Sequence, residues 1–94
     1  MVGFGDFVNR ATADEAVALV NGDRGQAYGD PTINLTRIAG MWSAYLGGVR
    51  LSAHDVAQMM VLTKISRSRV GCRHDNYVDQ IAYSLLAERA CDFD

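Results

Sequence analysis

The stretch SAHDVAQMMVLTKISRSRVGCRHDNYVDQIAY, residues 52–83, decides the fold. It reads as two helices joined by a short basic turn. Ser52 is a helix N-cap, and Asp55 three residues on completes a capping box and suits the positive end of the helix dipole. Leu51 and Val56 are spaced as a hydrophobic staple across that start. The helix is expected over about 53–69. Val56, Ala57, Met59, Met60, Val61, Leu62 and Ile65 leave almost no polar face in its middle, the pattern of a helix buried on several sides or by a partner subunit. Gly71 interrupts it, and a further helix is expected over about 76–90, burying Val78, Ile81, Ala82, Leu85 and Leu86.

Upstream, Asp30-Pro31 starts another helix, with Asp as N-cap and the chain's single proline at the first helical position. Leu35, Ile38, Ala39, Trp42, Tyr45 and Leu46 recur at steps of three and four, and Gly47-Gly48 ends the run. Thr12 and Glu15 have capping-box spacing ahead of a shorter apolar stripe of Ala16, Leu19 and Val20, stopped at Asn21-Gly22. No alternating β-branched run, repeat or low-complexity segment interrupts these four elements. The expected fold is all-α, a small four-helix bundle-like domain over 12–94 behind an N-terminal arm of 1–11.

Ninety-four residues, 49% of them hydrophobic, suffice for one folded domain, and a helical chain this short often gains stability as a homo-oligomer. A formal net charge of -2 argues against general nucleic-acid binding, which needs a basic surface, yet leaves room for a local basic pocket. Cys72 and Cys91 are too few and too irregular for a disulfide framework or a zinc site, and read as reduced thiols of a cytoplasmic protein. Residues 1–9 carry neither a signal peptide nor a membrane span, so no membrane role is expected.

The residues that bear chemistry gather near the basic turn. Four of the nine basic residues (Lys64, Arg67, Arg69 and Arg73) lie between Lys64 and Asp79, together with His74. Arginine gives an anion bidentate contacts and lysine a point charge, so Lys64, Arg67, Arg73 and His74 are candidate ligands for phosphate. The plain alternative is cations complementing a helix C-terminus. The segment 22–30 interleaves three glycines with Arg24 and Tyr28, which offer a charge and a stacking ring. It is neither a P-loop nor a dinucleotide fingerprint. Asp75 and Asp79 are four apart on one face, a pair that can hold magnesium shared with phosphate oxygens; Asp55 joins them as a magnesium ligand only if the chain is an enzyme. Their plain alternative is that Asp75 caps the last helix and Asp79 pairs with Lys64 or Arg67. Trp42 reads as core, with a base-binding pocket as the minor alternative. No Ser-His-Asp, Cys-His or metalloprotease arrangement is present.

Several stretches taken together resemble a family of small phage-encoded proteins of unassigned function: NGDR (21–24), YGDP (28–31), WSAYLG (42–47), DVAQMMVLTKI (55–65) and HDNYVD (74–79). More distantly, DNYVDQIAY (75–83) is similar to the last metal-binding helix of MazG-like all-α nucleoside triphosphate pyrophosphohydrolases. That resemblance implies a magnesium cage of two acidic pairs. Only the later pair has a match, in Asp75 and Asp79; where an early Glu-x-x-Glu is required, the second helix offers Asn34 and Arg37. Missing acids favour binding over hydrolysis. The expectation is therefore a phage-encoded, non-catalytic nucleotide-binding protein of the infected cell's cytoplasm, needing no cofactor and acting against host defence by sequestering a nucleotide immune signal. The alternatives are a magnesium-dependent nucleotide pyrophosphohydrolase and a helical inhibitor of a host protein. The nucleotide reading requires the basic residues at the third helix's exit to converge with the 22–30 segment on one cavity.

Overall fold

The computed structural model describes residues 7–22 and 30–91, and these form four helices with no strand among them. They are α1 (Arg10–Asn21), α2 (Pro31–Leu46), α3 (Ala53–Ser68) and α4 (His74–Ala90).

Two starts follow the expected chemistry. The Asp30 carboxylate accepts the Thr32 backbone N–H at 2.9 Å, and Pro31 sits at the first helical position of α2. At α3 the capping box is complete: the Ser52 hydroxyl accepts the Asp55 N–H at 3.1 Å, and the Asp55 carboxylate accepts the Ser52 N–H at 2.9 Å. Those Ser52 hydrogen bonds hold the Asp55 carboxyl below its ordinary value.

The other two starts differ from expectation. α1 begins three residues earlier than the Thr12 box implied, because the Asn9 side chain accepts the Ala11 N–H at 2.9 Å and adds a turn. Its first residue, Arg10, thus falls within the stretch read as an arm. α4 begins at His74 behind Arg73, which contributes no side-chain cap, so Asp75 lies inside the first turn instead of capping it. There its carboxylate still faces the positive end of the helix dipole.

Helix α2 leaves through Gly47 and Gly48, both at positive φ (60° and 90°), a region that side-chain-bearing residues rarely enter. The following loop is tied back by Ser43, whose hydroxyl donates to the Ala39 carbonyl at 2.6 Å and accepts the Leu51 N–H at 2.8 Å. That clasp sets the angle at which α3 departs.

α4 is the axis of the packing. It lies most extensively against α3, α1 runs along another side of it, and α2 packs on α3 while barely touching α4. One core cluster joins Leu35 and Ala39 of α2 to Val56 and Ala57 of α3 and Leu86 and Ala87 of α4; the other joins Ala16 of α1 to Val78 and Ala82 of α4. Small side chains dominate, and Val56 is the largest that is fully buried.

Of the two alternatives for α3, burial on several sides within one chain does not hold for its whole surface. With α2 and α4 as its only extensive neighbours among the described residues, one side of α3 stays exposed. Met59, Leu62 and Ile65, three residues apart, form an exposed apolar stripe in which Leu62 is 63% accessible.

Candidate functional site

Weak contact between α2 and α4 leaves space between them. The result is a cavity of about 830 Å³, floored by α3 and reached at one end by Leu19 and Val20 of α1. Such a volume lies within the usual range for small-molecule pockets. Its walls are mainly apolar, through Ile33, Ile38, Trp42, Val56 and Met60, with a few polar groups spaced along them.

Helical periodicity puts those groups there. On α3, Val56, Met60 and Lys64 follow one another at steps of four, so a single stripe carries the floor from core to charge. On α4, Asp79 and Tyr83 are likewise four apart and line the facing wall. Lys64 Nζ stands 3.0 Å from the Asp79 carboxylate, with the lysine side chain 13% accessible and the aspartate 32%. α2 brings Asn34 and Arg37, one turn apart, to the opposite rim. Asp30 also lines the cavity, but it is engaged: Arg89 Nη2 donates to it at 2.9 Å, and Thr32 donates through both N–H (2.9 Å) and hydroxyl (2.8 Å). Arg89 first, then Thr32, hold the Asp30 carboxyl well below the usual carboxylate range, and Asp30 in turn raises the Arg89 guanidinium.

Of the residues singled out from sequence, Lys64 and Asp79 meet in this cavity, in the ion pair that was their plain alternative. Arg67 and Arg73 are exposed and do not line it. Arg67 lies one turn past Lys64 on the same face of α3, yet it falls outside the cavity lining. His74 is engaged elsewhere, its Nε2 lying 2.8 Å from the Glu15 carboxylate and tying the start of α4 to α1. Arg24 and Tyr28 lie outside the described residues, so the expected convergence reduces to Lys64 alone among those that are described.

The three acids read as magnesium ligands do not form one cluster. Asp55 is occupied in the α3 capping box, nine residues before Lys64 and hence about 13 Å from it along the helix axis. Asp75 is exposed one turn before Asp79. Among the described residues, no group of three or more His, Cys, Asp or Glu side chains is placed to hold a metal ion. Both cysteines carry free thiols, and the Tyr77 hydroxyl lies 3.7 Å from Cys72 Sγ, which raises the phenol above its ordinary value. Among the described residues, no helix is long and apolar enough to cross a membrane.

Sequence reading did not bring Arg37 and Tyr83 into the site. The available signals were the i, i+3 pair Asn34/Arg37 beside the apolar face of α2 and the i, i+4 pair Asp79/Tyr83 on α4. Neither shows which faces meet across space.

Comparison with known proteins agrees with the phage likeness. The chain is 43% identical over 79 residues to the Gene 55 protein of Mycobacterium phage L5, an alignment covering 83% of this chain and 49% of that protein. It is 35% identical over 83 residues to the Gene 55 protein of Mycobacterium phage D29, covering 87% and 54% respectively. The chain therefore spans about half the length of these curated relatives. No solved structure matches it. Residues 11–91 match the family model described as a domain of unknown function, DUF6378, and the chain belongs to that family.

Proposed function

We propose that this chain binds a small phosphorylated nucleotide in the cavity between α2 and α4 and does not hydrolyse it. One observation carries the reading: a largely desolvated lysine, Lys64, is held by Asp79 on the wall of an 830 Å³ cavity that also presents Trp42 and Tyr83. A partly buried cation beside aromatic rings suits a ligand with an anionic group and a flat apolar base. Asn34 and Arg37 favour binding over turnover. They stand where the MazG-like resemblance would place a Glu-x-x-Glu pair, and neither an amide nor a guanidinium replaces carboxylates around magnesium. In a phage-encoded protein, binding without turnover would withdraw a host nucleotide signal from the infected cell's cytoplasm.

The test is incubation with a panel of linear and cyclic nucleotides, with and without magnesium, followed by melting and recovery of the ligand. The expected result is a nucleotide-dependent rise in Tm with the nucleotide recovered intact. Pyrophosphate release would replace this reading with the hydrolase, and no response to any nucleotide would end it.

The exposed stripe of Met59, Leu62 and Ile65 favours a second property, self-association through α3. Light scattering on the purified chain should return a mass above that of one protomer. A strict monomer would leave the stripe to a protein partner, as the host-inhibitor reading requires.

A further inference from the structure

The charges around the cavity are unequal in their availability. Four charged side chains line it: Asp30, Arg37, Lys64 and Asp79. Asp30 is paired with Arg89, and Asp79 with Lys64. Arg37 has no ion-pair partner among the described residues. Among the described residues, the cavity lining and its paired groups therefore carry one uncompensated positive charge, on Arg37 of α2. Asn34, one turn before Arg37 on the same side of the helix, adds amide donors without charge.

We propose that the cavity selects nucleotides carrying a single phosphate group, with Arg37 as the residue that grips the phosphate and Asn34 beside it. This rests on the nucleotide-binding reading above and narrows it. A phosphomonoester brings about −1.5 to −2 charge at neutral pH, and a phosphodiester less. One free guanidinium offsets at least half of that charge and engages two of the phosphate oxygens at once. A triphosphate brings several more negative charges. Asp79 repels them, and no cluster of acids among the described residues is placed to recruit a magnesium ion for them. Asp79 thus has two effects: it holds Lys64 in place, and it sets an upper limit on the negative charge the cavity accepts.

The test is calorimetric titration, at fixed ionic strength and with a chelator present, of nucleosides, nucleoside 5′-monophosphates and nucleoside 5′-triphosphates of the common bases. The monophosphate of the preferred base is expected to bind at least about tenfold tighter than either its nucleoside or its triphosphate. Arg37→Gln, at an exposed position, should lower monophosphate affinity by about tenfold with the melting temperature unchanged. Asp79→Asn, which removes a negative charge from the wall, should narrow or reverse the disadvantage of the triphosphate. Triphosphates binding as tightly as monophosphates, or unaltered affinity in Arg37→Gln, would overturn the selectivity and leave nucleotide binding standing. Nucleosides binding as tightly as monophosphates would remove the phosphate contact. If no member of the series binds, the selectivity falls together with the reading it rests on.

Discussion

Replacing each partner of the Lys64–Asp79 pair should have unequal consequences, and the inequality follows from their burial. At 3.0 Å and an effective dielectric of about 20, the attraction is roughly 5 kcal/mol, most of it offset by the cost of drawing the charges from water. Exposed pairs contribute about 0–1 kcal/mol net, whereas breaking a fully buried pair costs about 3–5 kcal/mol. With Lys64 13% accessible and Asp79 32%, this pair lies between those limits. Asp79→Asn leaves a poorly hydrated ammonium facing a neutral amide and should cost about 1–2 kcal/mol. For a domain of this size that is a fall in Tm of roughly 5–15 °C. Lys64→Met should cost less, about 0.5–1 kcal/mol, since Asp79 retains access to water and the methionine fills the same stripe. Urea unfolding of wild type, both single variants and the double variant gives the coupling directly, expected at about 1–1.5 kcal/mol. A coupling below about 0.3 kcal/mol, or equal costs for the two single changes, would mean that both groups are solvated and that the cavity wall is not where it is described.

Four further outcomes can be checked independently. The Asp30 carboxyl titrates lower in the folded chain than its ordinary value of 3.8, so its stabilisation is fully present above that pH and is lost as pH falls toward the depressed folded value. Asp30→Asn should accordingly lose less Tm than wild type between pH 5 and pH 2; parallel acid limbs would contradict the Asp30–Arg89–Thr32 arrangement. Gly40 lies exposed within α2 with open space where a Cβ would go, so Gly40→Ala should stabilise by about 0.5–1 kcal/mol. Gly48 at φ 90° should respond in the opposite sense, Gly48→Ala costing about 1 kcal/mol or more by denaturant unfolding. Arg67→Ala should leave nucleotide affinity unchanged within about twofold, and a larger loss by calorimetry would return Arg67 to the site.

Local chemistry made α2 and α3 legible. Asp30-Pro31, the Ser52/Asp55 box and Gly47-Gly48 each satisfy or terminate a helix end by themselves, and the observed ends agree with them. α1 was harder because Asn9 and Thr12 are competing caps and the longer helix won. α4 starts behind an arginine that makes no capping bond, so only the acid Asp75 marks its first turn. The site divides along the same line. Lys64 and Asp79 were both legible, since each lies on a recognisable face of adjoining helices. Arg67 was grouped with Lys64 because the two share a face of α3, and His74 because it follows in the basic turn, yet Arg67 falls outside the cavity lining and His74 finds Glu15 fifty-nine residues away. That α2 packs on α3 and only slightly on α4, opening the cavity to Arg37, is a property of packing that no single helix encodes.

Titration of the isotope-labelled chain with a nucleoside monophosphate, followed by amide and indole resonances, locates the binding surface in one experiment. Shifts should concentrate at Asn34, Arg37 and the Trp42 indole on α2, at Met60 and Lys64 on α3, and at Asp79 and Tyr83 on α4. Shifts confined to the basic turn at residues 67–75, or absent altogether, would contradict a nucleotide site in the cavity between α2 and α4.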